Sequence, residues 1–145
     1  DRFETSYFDD CPNVIYKGSF SGLESIPFTD KSAFLYTSLF DGLPNVLLEA
    51  AQMSIPIITV DVGGVSELIS ENSGFLVRNS ADDTELVVRY VTKIKEFLSA
   101  SDAEIQNKIQ CLHEHFEQQH ARSTYALNVA AFYRQLEEQL VKGTL

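Results

Sequence analysis

The apolar positions of this chain follow two rhythms. Up to residue 77 they come in short unbroken runs: Val14-Ile15-Tyr16, Ala33 to Thr37, Ile57-Ile58-Thr59-Val60 and Phe75-Leu76-Val77. Runs of this length, rich in β-branched and aromatic residues and bounded by Gly, Pro or Ser, predict buried strands. Between the second and third runs the period lengthens. Val46, Leu47, Ala50 and Ala51 share one helical face with Leu48 beside them. Pro44 suits the first turn of that helix, where a missing N–H costs nothing. Pro56 suits the start of the next strand. Short helices are expected near Leu23–Ile26, stopped by Pro27, and over Ser66–Ser70, broken by Gly74. Gly63-Gly64 reads as a tight turn.

From Asp82 onward helical spacing takes over. Amphipathic helices are predicted over Asp83–Ser99, Asp102–Gln119 and Ser123–Val141, the second capped by Asp102. In the third, Ala126, Val129, Ala130, Tyr133 and Leu136 recur at helical intervals. Strand, helix, strand, helix, strand, then helices is the alternation of a parallel sheet in an α/β protein, here with a helical C-terminal tail. Such sheets bind ligands beyond the carboxyl ends of their strands. Those ends carry Gly18, Ser38 to Asp41, and Gly63-Gly64, three loops expected on one rim.

At 145 residues the chain is expected to be a single domain, 1–81 its α/β part and 82–145 the tail. A formal net charge of −10 disfavours nucleic acid and anionic membranes as partners of the whole surface. It leaves room for a small phosphate site built from backbone N–H groups. The two cysteines, Cys11 and Cys111, form no Cys-x-x-Cys pair, and free thiols fit a cytoplasmic protein. No apolar run approaches membrane-span length, and no signal peptide or glycosylation sequon is visible. The chain opens on Asp1 and its only methionine is Met53, which reads as part of a longer protein.

The chemistry concentrates between Asp41 and Glu49, eight positions apart. Gly42 lets a ligand approach the backbone closely. The helix start from Asn45 to Leu47 offers N–H groups and the positive end of the helix dipole to a diphosphate. Glu49, about a turn further in, can accept two hydrogen bonds from a vicinal diol such as a ribose. Asp41 can reach hydroxyls of a sugar beyond the phosphates. Together these describe a nucleotide-sugar site. On pattern alone the plainer reading is favoured, with Asp41 a loop residue or cap and Glu49 a solvated helix residue, since a helix start after a parallel strand is common in α/β folds.

The order of blocks adds to this. Ser38-x-x-Asp41-Gly42-Leu43-Pro44-Asn45-Val46-Leu47-Leu48-Glu49-Ala50-Ala51 is followed by Ile55 to Ile69, with Gly63-Gly64-Val65-x-Glu67, and then by Ser73-Gly74-Phe75-Leu76-Val77. This closely resembles the C-terminal donor-binding domain of retaining GT-B glycosyltransferases of the large family 4, or group 1, type. The match runs from about Val14 to Val77, and the tail, with Phe132-Tyr133 near its end, fits as well. The resemblance implies a Rossmann-like fold and transfer of a sugar, with retention, from a nucleotide-diphosphate-sugar donor to a glycan or lipid-linked acceptor. That acceptor would be held by an N-terminal domain outside this chain. It implies no metal or other cofactor.

The resemblance gives Glu49 the ribose and Asp41 the transferred sugar, close to the reacting carbon. Gly42, Leu43, Asn45, Val46 and Leu47 would meet the sugar and diphosphate, largely through their backbone. Lys17 and Gly18 would meet the base, and Gly63, Gly64 and Glu67 would border the cleft. Asp41 stands where the family has Glu, so its carboxylate sits one methylene further back. The family's Arg and Lys, which neutralise the departing diphosphate, have no match here. The first two strands of the domain have none either, and without them the Val14 strand would be cut off from the Ala33 strand. The chain alone is therefore expected to be inactive, and the full-length enzyme to work in the cytoplasm or at the inner face of a membrane. The alternative is a non-catalytic glycosyltransferase-like subunit that binds or regulates a partner.

Other signals carry less. Cys111, His113 and His115 are spaced two apart and do not converge on a helix, and His113 with His120 makes an incomplete metal site. No Gly-x-Ser-x-Gly elbow accompanies Ser38. The last helices read as structural.

Overall fold

The computed structural model describes residues 8, 10–29 and 31–141. Its centre is a three-stranded parallel sheet of β1 (Phe34–Tyr36), β2 (Ile57–Val60) and β3 (Phe75–Val77), in that spatial order. Leu35 lies opposite Ile58, and Thr59 opposite Leu76. The middle strand is buried along its whole length, as its continuous apolar run predicts. Its side chains alternate between two cores. Ile57 joins Leu47, Ala50, Leu68, Leu112 and Phe116 on one face. Ile58 and Val60 join Phe75, Val77, Leu86, Tyr90 and Phe97 on the other. Rossmann-like layering follows directly: α1 (Asn45–Gln52) and α3 (Asp102–Gln119) cover the first face, and α2 (Asp83–Ser99) the second.

Helix ends follow local chemistry. Pro44 proves to be the residue capping α1 rather than a member of its first turn, and its carbonyl accepts from Leu47 and Leu48 N–H at 3.0 and 3.4 Å. At the other end Ser54 takes φ 57°, and Ile55 N–H reaches back to the Ala50 carbonyl at 2.9 Å. This is the left-handed helix stop usually made by glycine. Asp82 caps α2 by accepting from Glu85 N–H at 3.0 Å. The cap of α3 is Ser101, which accepts from Glu104 N–H at 3.2 Å, so the expected cap at Asp102 is one residue late. Either residue type can cap, but in Ser101-x-x-Glu104 the serine stands three before a Glu, the capping-box spacing. The last helix, α4 (Arg122–Val141), is exposed along most of its length.

Three other expectations need correction. Val14-Ile15-Tyr16 is not a strand: the segment has no regular secondary structure and lies outside the three-stranded sheet, with Ile15 73% exposed. A β-prone run becomes a strand only where a neighbouring strand takes up its backbone groups, and the Val14 N–H instead donates to the Cys11 carbonyl in a local turn at 2.9 Å. The predicted helices near Leu23 and Ser66 are single 3-10 turns, Leu23–Ser25 and Val65–Glu67. Each is too short to propagate and is fixed by tertiary packing of Leu23, Val65 and Leu68 into the core.

Candidate functional site

The carboxyl ends of β1 and β2 bring two loops together. Beyond Tyr36, the last residue of β1, the chain runs through an exposed loop to Asp41 and Gly42 and then into α1. Beyond β2 it turns at Gly63-Gly64. The two loops meet backbone to backbone: Gly64 N–H donates to the Gly42 carbonyl at 2.9 Å. Gly63 sits at φ 54°, and a Cβ there would stand 1.9 Å from the Asp41 carbonyl oxygen. Only glycine permits both that conformation and that approach.

The Asp41 carboxylate is held at both ends. Its Oδ1 accepts from Gly42 N–H at 2.8 Å and its Oδ2 from the Tyr36 hydroxyl at 2.9 Å. Burial, with the adjoining Asp41 carboxylate adding to it, raises the Tyr36 phenol above its ordinary value, while a contact with Ser38 works the other way. The Tyr36 carbonyl in turn accepts from the Tyr90 hydroxyl of α2 at 2.8 Å. Burial, foremost, holds the Tyr90 phenol up as well.

Glu49 lies one side of this junction, on the half-buried flank of α1. Its Oε2 accepts from Leu23 N–H at 3.2 Å, across 26 residues of chain. It therefore fixes the 3-10 turn at Leu23, a link that spacing alone does not reveal. Glu49 also lines an open groove of about 750 Å³ between α1 and the α3–α4 junction, with Asn45, Gln52, His120 and Arg122 on its walls. Asn45 and Val46 lead α1 ahead of its first internal hydrogen bond, so their N–H groups have no acceptor within the helix. Leu47 differs: its side chain is fully buried and its N–H is taken by Pro44. Leu43 is half-buried against the core, its backbone nitrogen beside Gly64. Lys17 and Gly18 lie on the exposed segment outside the sheet, and no hydrogen bond joins them to the Asp41 loop.

Sequence reasoning passed over the supports. Tyr36 read only as a strand residue, and Tyr90 was not singled out within the helix expected over Asp83–Ser99. His115 and His120 both reach the Glu67 carbonyl through Nε2, at 2.7 and 3.4 Å, with their rings 5.9 Å apart. His120 is the C-cap of α3, outside the regular helix, which is why it meets His115 rather than the expected His113. Among the described residues no three His, Cys, Asp or Glu side chains gather as a metal set, and no helix is long and apolar enough to cross a membrane.

A parallel sheet wrapped by helices, with a carboxylate loop and a Gly-Gly turn on one rim, defines an α/β half of GT-B type. The comparisons agree: the family profile "Glycosyl transferases group 1" matches residues 9–98, and the chain belongs to that family. It is 30% identical over 106 residues to the Vi polysaccharide biosynthesis protein VipC/TviE of Salmonella typhi, covering 69% of this chain and 18% of that protein. It is 37% identical over 76 residues to the O-antigen biosynthesis glycosyltransferase WbnH of Escherichia coli, covering 52% of this chain and 22% of that protein. A putative teichuronic acid biosynthesis glycosyltransferase, TuaC of Bacillus subtilis (strain 168), is 34% identical over 59 residues, 39% of this chain and 15% of its own length. The chain thus spans about a fifth of the length of these curated relatives. No solved structure matches it.

Proposed function

We propose that this domain holds the nucleotide-sugar donor of a retaining glycosyltransferase. The intact enzyme then passes the sugar to a glycan or lipid-linked acceptor carried by a separate N-terminal domain, in polysaccharide biosynthesis like that named for the relatives. One observation carries the reading: Asp41 and Glu49 flank the start of α1, where Asn45 and Val46 N–H groups have no acceptor within the helix. A diphosphate at that helix start meets N–H donors and the positive dipole end. Glu49 keeps Oε1 for a ribose diol while Oε2 holds Leu23. Asp41 faces the sugar with one lone pair left on each oxygen.

The chemistry asked of the protein is electrostatic. Negative charge grows on the departing diphosphate, and fixed N–H donors stabilise it without reorganising. The reading calls for no metal or cofactor beyond the donor. The remaining positive charge comes from the family's upstream Arg and Lys, so the chain by itself is inactive in transfer. The enzyme works in the cytoplasm or at the inner face of a membrane.

The test uses Glu49→Gln in the intact enzyme. Glutamine keeps an oxygen for Leu23 N–H, so the fold is spared, but it loses the charge that a diol hydroxyl binds. Hydrogen bonds to charged groups contribute roughly 1.5–3 kcal/mol, so nucleotide affinity should fall about 10- to 100-fold. The loss should shrink for a 2′-deoxynucleotide donor. Unchanged affinity for UDP, GDP and ADP alike would remove the assignment.

A further inference from the structure

We infer that Tyr36 is a positioning residue for Asp41, and that the Tyr36–Asp41 pair rather than Asp41 alone sets how the sugar end of the donor is held. This deepens the reading above and rests on it. The argument starts from what anchors the carboxylate. The bond from Gly42 N–H is local, joining Asp41 to its own next residue, so it moves with the loop. The bond from the Tyr36 hydroxyl is different, because Tyr36 belongs to the sheet. Its backbone stands opposite Thr59 in the parallel register, and its ring lies 6.5 Å from that of Phe34, nearly parallel at 27°. Its carbonyl is gripped from the far layer by Tyr90. Among the described residues, the phenol is the one side-chain tie between Asp41 and the rigid part of the fold.

That tie answers a geometric need. A short aspartate on an exposed loop can swing about two torsions, and each free torsion spreads the carboxylate over several rotamers. A hydrogen bond from a fixed phenol selects one of them. It also leaves a lone pair on each carboxylate oxygen, enough to accept from two hydroxyls of one sugar. The phenol itself stays protonated across the neutral range, because burial and the adjoining carboxylate both hold its proton. It can therefore act as a donor throughout the working range.

The experiment compares nucleotide with nucleotide sugar in the intact enzyme. Affinities of UDP, GDP and ADP, and of UDP-, GDP- and ADP-glucose, are measured for wild type, Tyr36→Phe, Asp41→Asn and the double variant. Phenylalanine keeps the ring against Phe34 and removes only the hydroxyl. Tyr36→Phe should weaken the nucleotide sugar about tenfold, a typical consequence of losing one oriented hydrogen bond to a charged group, and leave the parent diphosphate unchanged. In the Asp41→Asn background the same change should have almost no further effect, since the pair acts as a unit. Three results overturn the inference: an unchanged nucleotide-sugar affinity, an equal loss for sugar and parent diphosphate, or additive effects in the double variant. Its failure is separable from that of the parent reading. If Glu49→Gln weakens the diphosphates while Tyr36→Phe moves nothing, only the positioning role falls. If wild type binds none of the six, both fall.

Discussion

Gly63→Ala isolates the backbone junction between the two rim loops. Two costs add. At φ 54° a Cβ crowds its own backbone, which costs about 1–2 kcal/mol. The Cβ would also stand 1.9 Å from the Asp41 carbonyl oxygen, well inside van der Waals contact, so one loop must move by more than 1 Å. That movement breaks the Gly64 N–H bond to Gly42, worth about 1 kcal/mol net. The expected total is roughly 3 kcal/mol, and at about 3 °C per kcal/mol for a chain of this size Tm should fall by roughly 10 °C. Two controls divide the sum. Gly42→Ala meets nothing within 4 Å and has ordinary φ, so it should be near neutral. Gly18→Ala also meets nothing but sits at φ 78°. It tests the conformational cost alone, on an exposed segment that can relax, and should lose less than about 1 kcal/mol. Urea titration of all three, read by far-UV circular dichroism, gives the ranking. A Gly63→Ala midpoint equal to that of Gly42→Ala would refute the close approach of the loops.

Two further predictions concern single groups. Ser54→Gly should raise stability by about 0.5 kcal/mol: relief of the left-handed serine slightly exceeds the chain entropy that glycine adds to the unfolded state, and a thermal melt checks it. Tyr36 and Tyr90 both titrate above the ordinary tyrosine range, so folding favours their protonated forms. Their contribution is whole below the unfolded tyrosine value and is lost as pH rises through the folded values. Phenolate absorbance should therefore show some tyrosines ionising later in the native protein than in urea, and coincident curves would contradict this.

How much was legible in the chain follows from the range of each interaction. β2 reads correctly because Ile57–Val60 is apolar on both faces, a signature carried by the residues themselves. Helix α3 was bounded correctly because its apolar spacing and its end are local. The Val14 run fails because a strand is a property of two segments, and its own composition says nothing of a neighbour. At the candidate site, the eight-residue step from Asp41 to Glu49 was legible as loop followed by helix flank. That Leu23 N–H occupies one Glu49 oxygen, or that Tyr36 holds Asp41, was not, since each bond joins side chain and partner from different elements. Gly63-Gly64 looked like an ordinary turn, and what makes Gly63 irreplaceable is a carbonyl more than twenty residues earlier in the chain.

The grip of His115 on the Glu67 carbonyl gives the helical tail a mechanical part in the rim. Force applied at the end of α3 has a short stiff route to travel. It passes through a 2.7 Å contact into the turn at Glu67, along three residues of backbone to Gly64, and through a 2.9 Å bond into the Asp41–Gly42 loop. No flexible side chain other than the imidazole lies on that route. The end of α3, from which α4 continues, is thus joined to the carboxylate loop by two hydrogen bonds and one turn, alongside the apolar packing of Leu112 and Phe116 into the core.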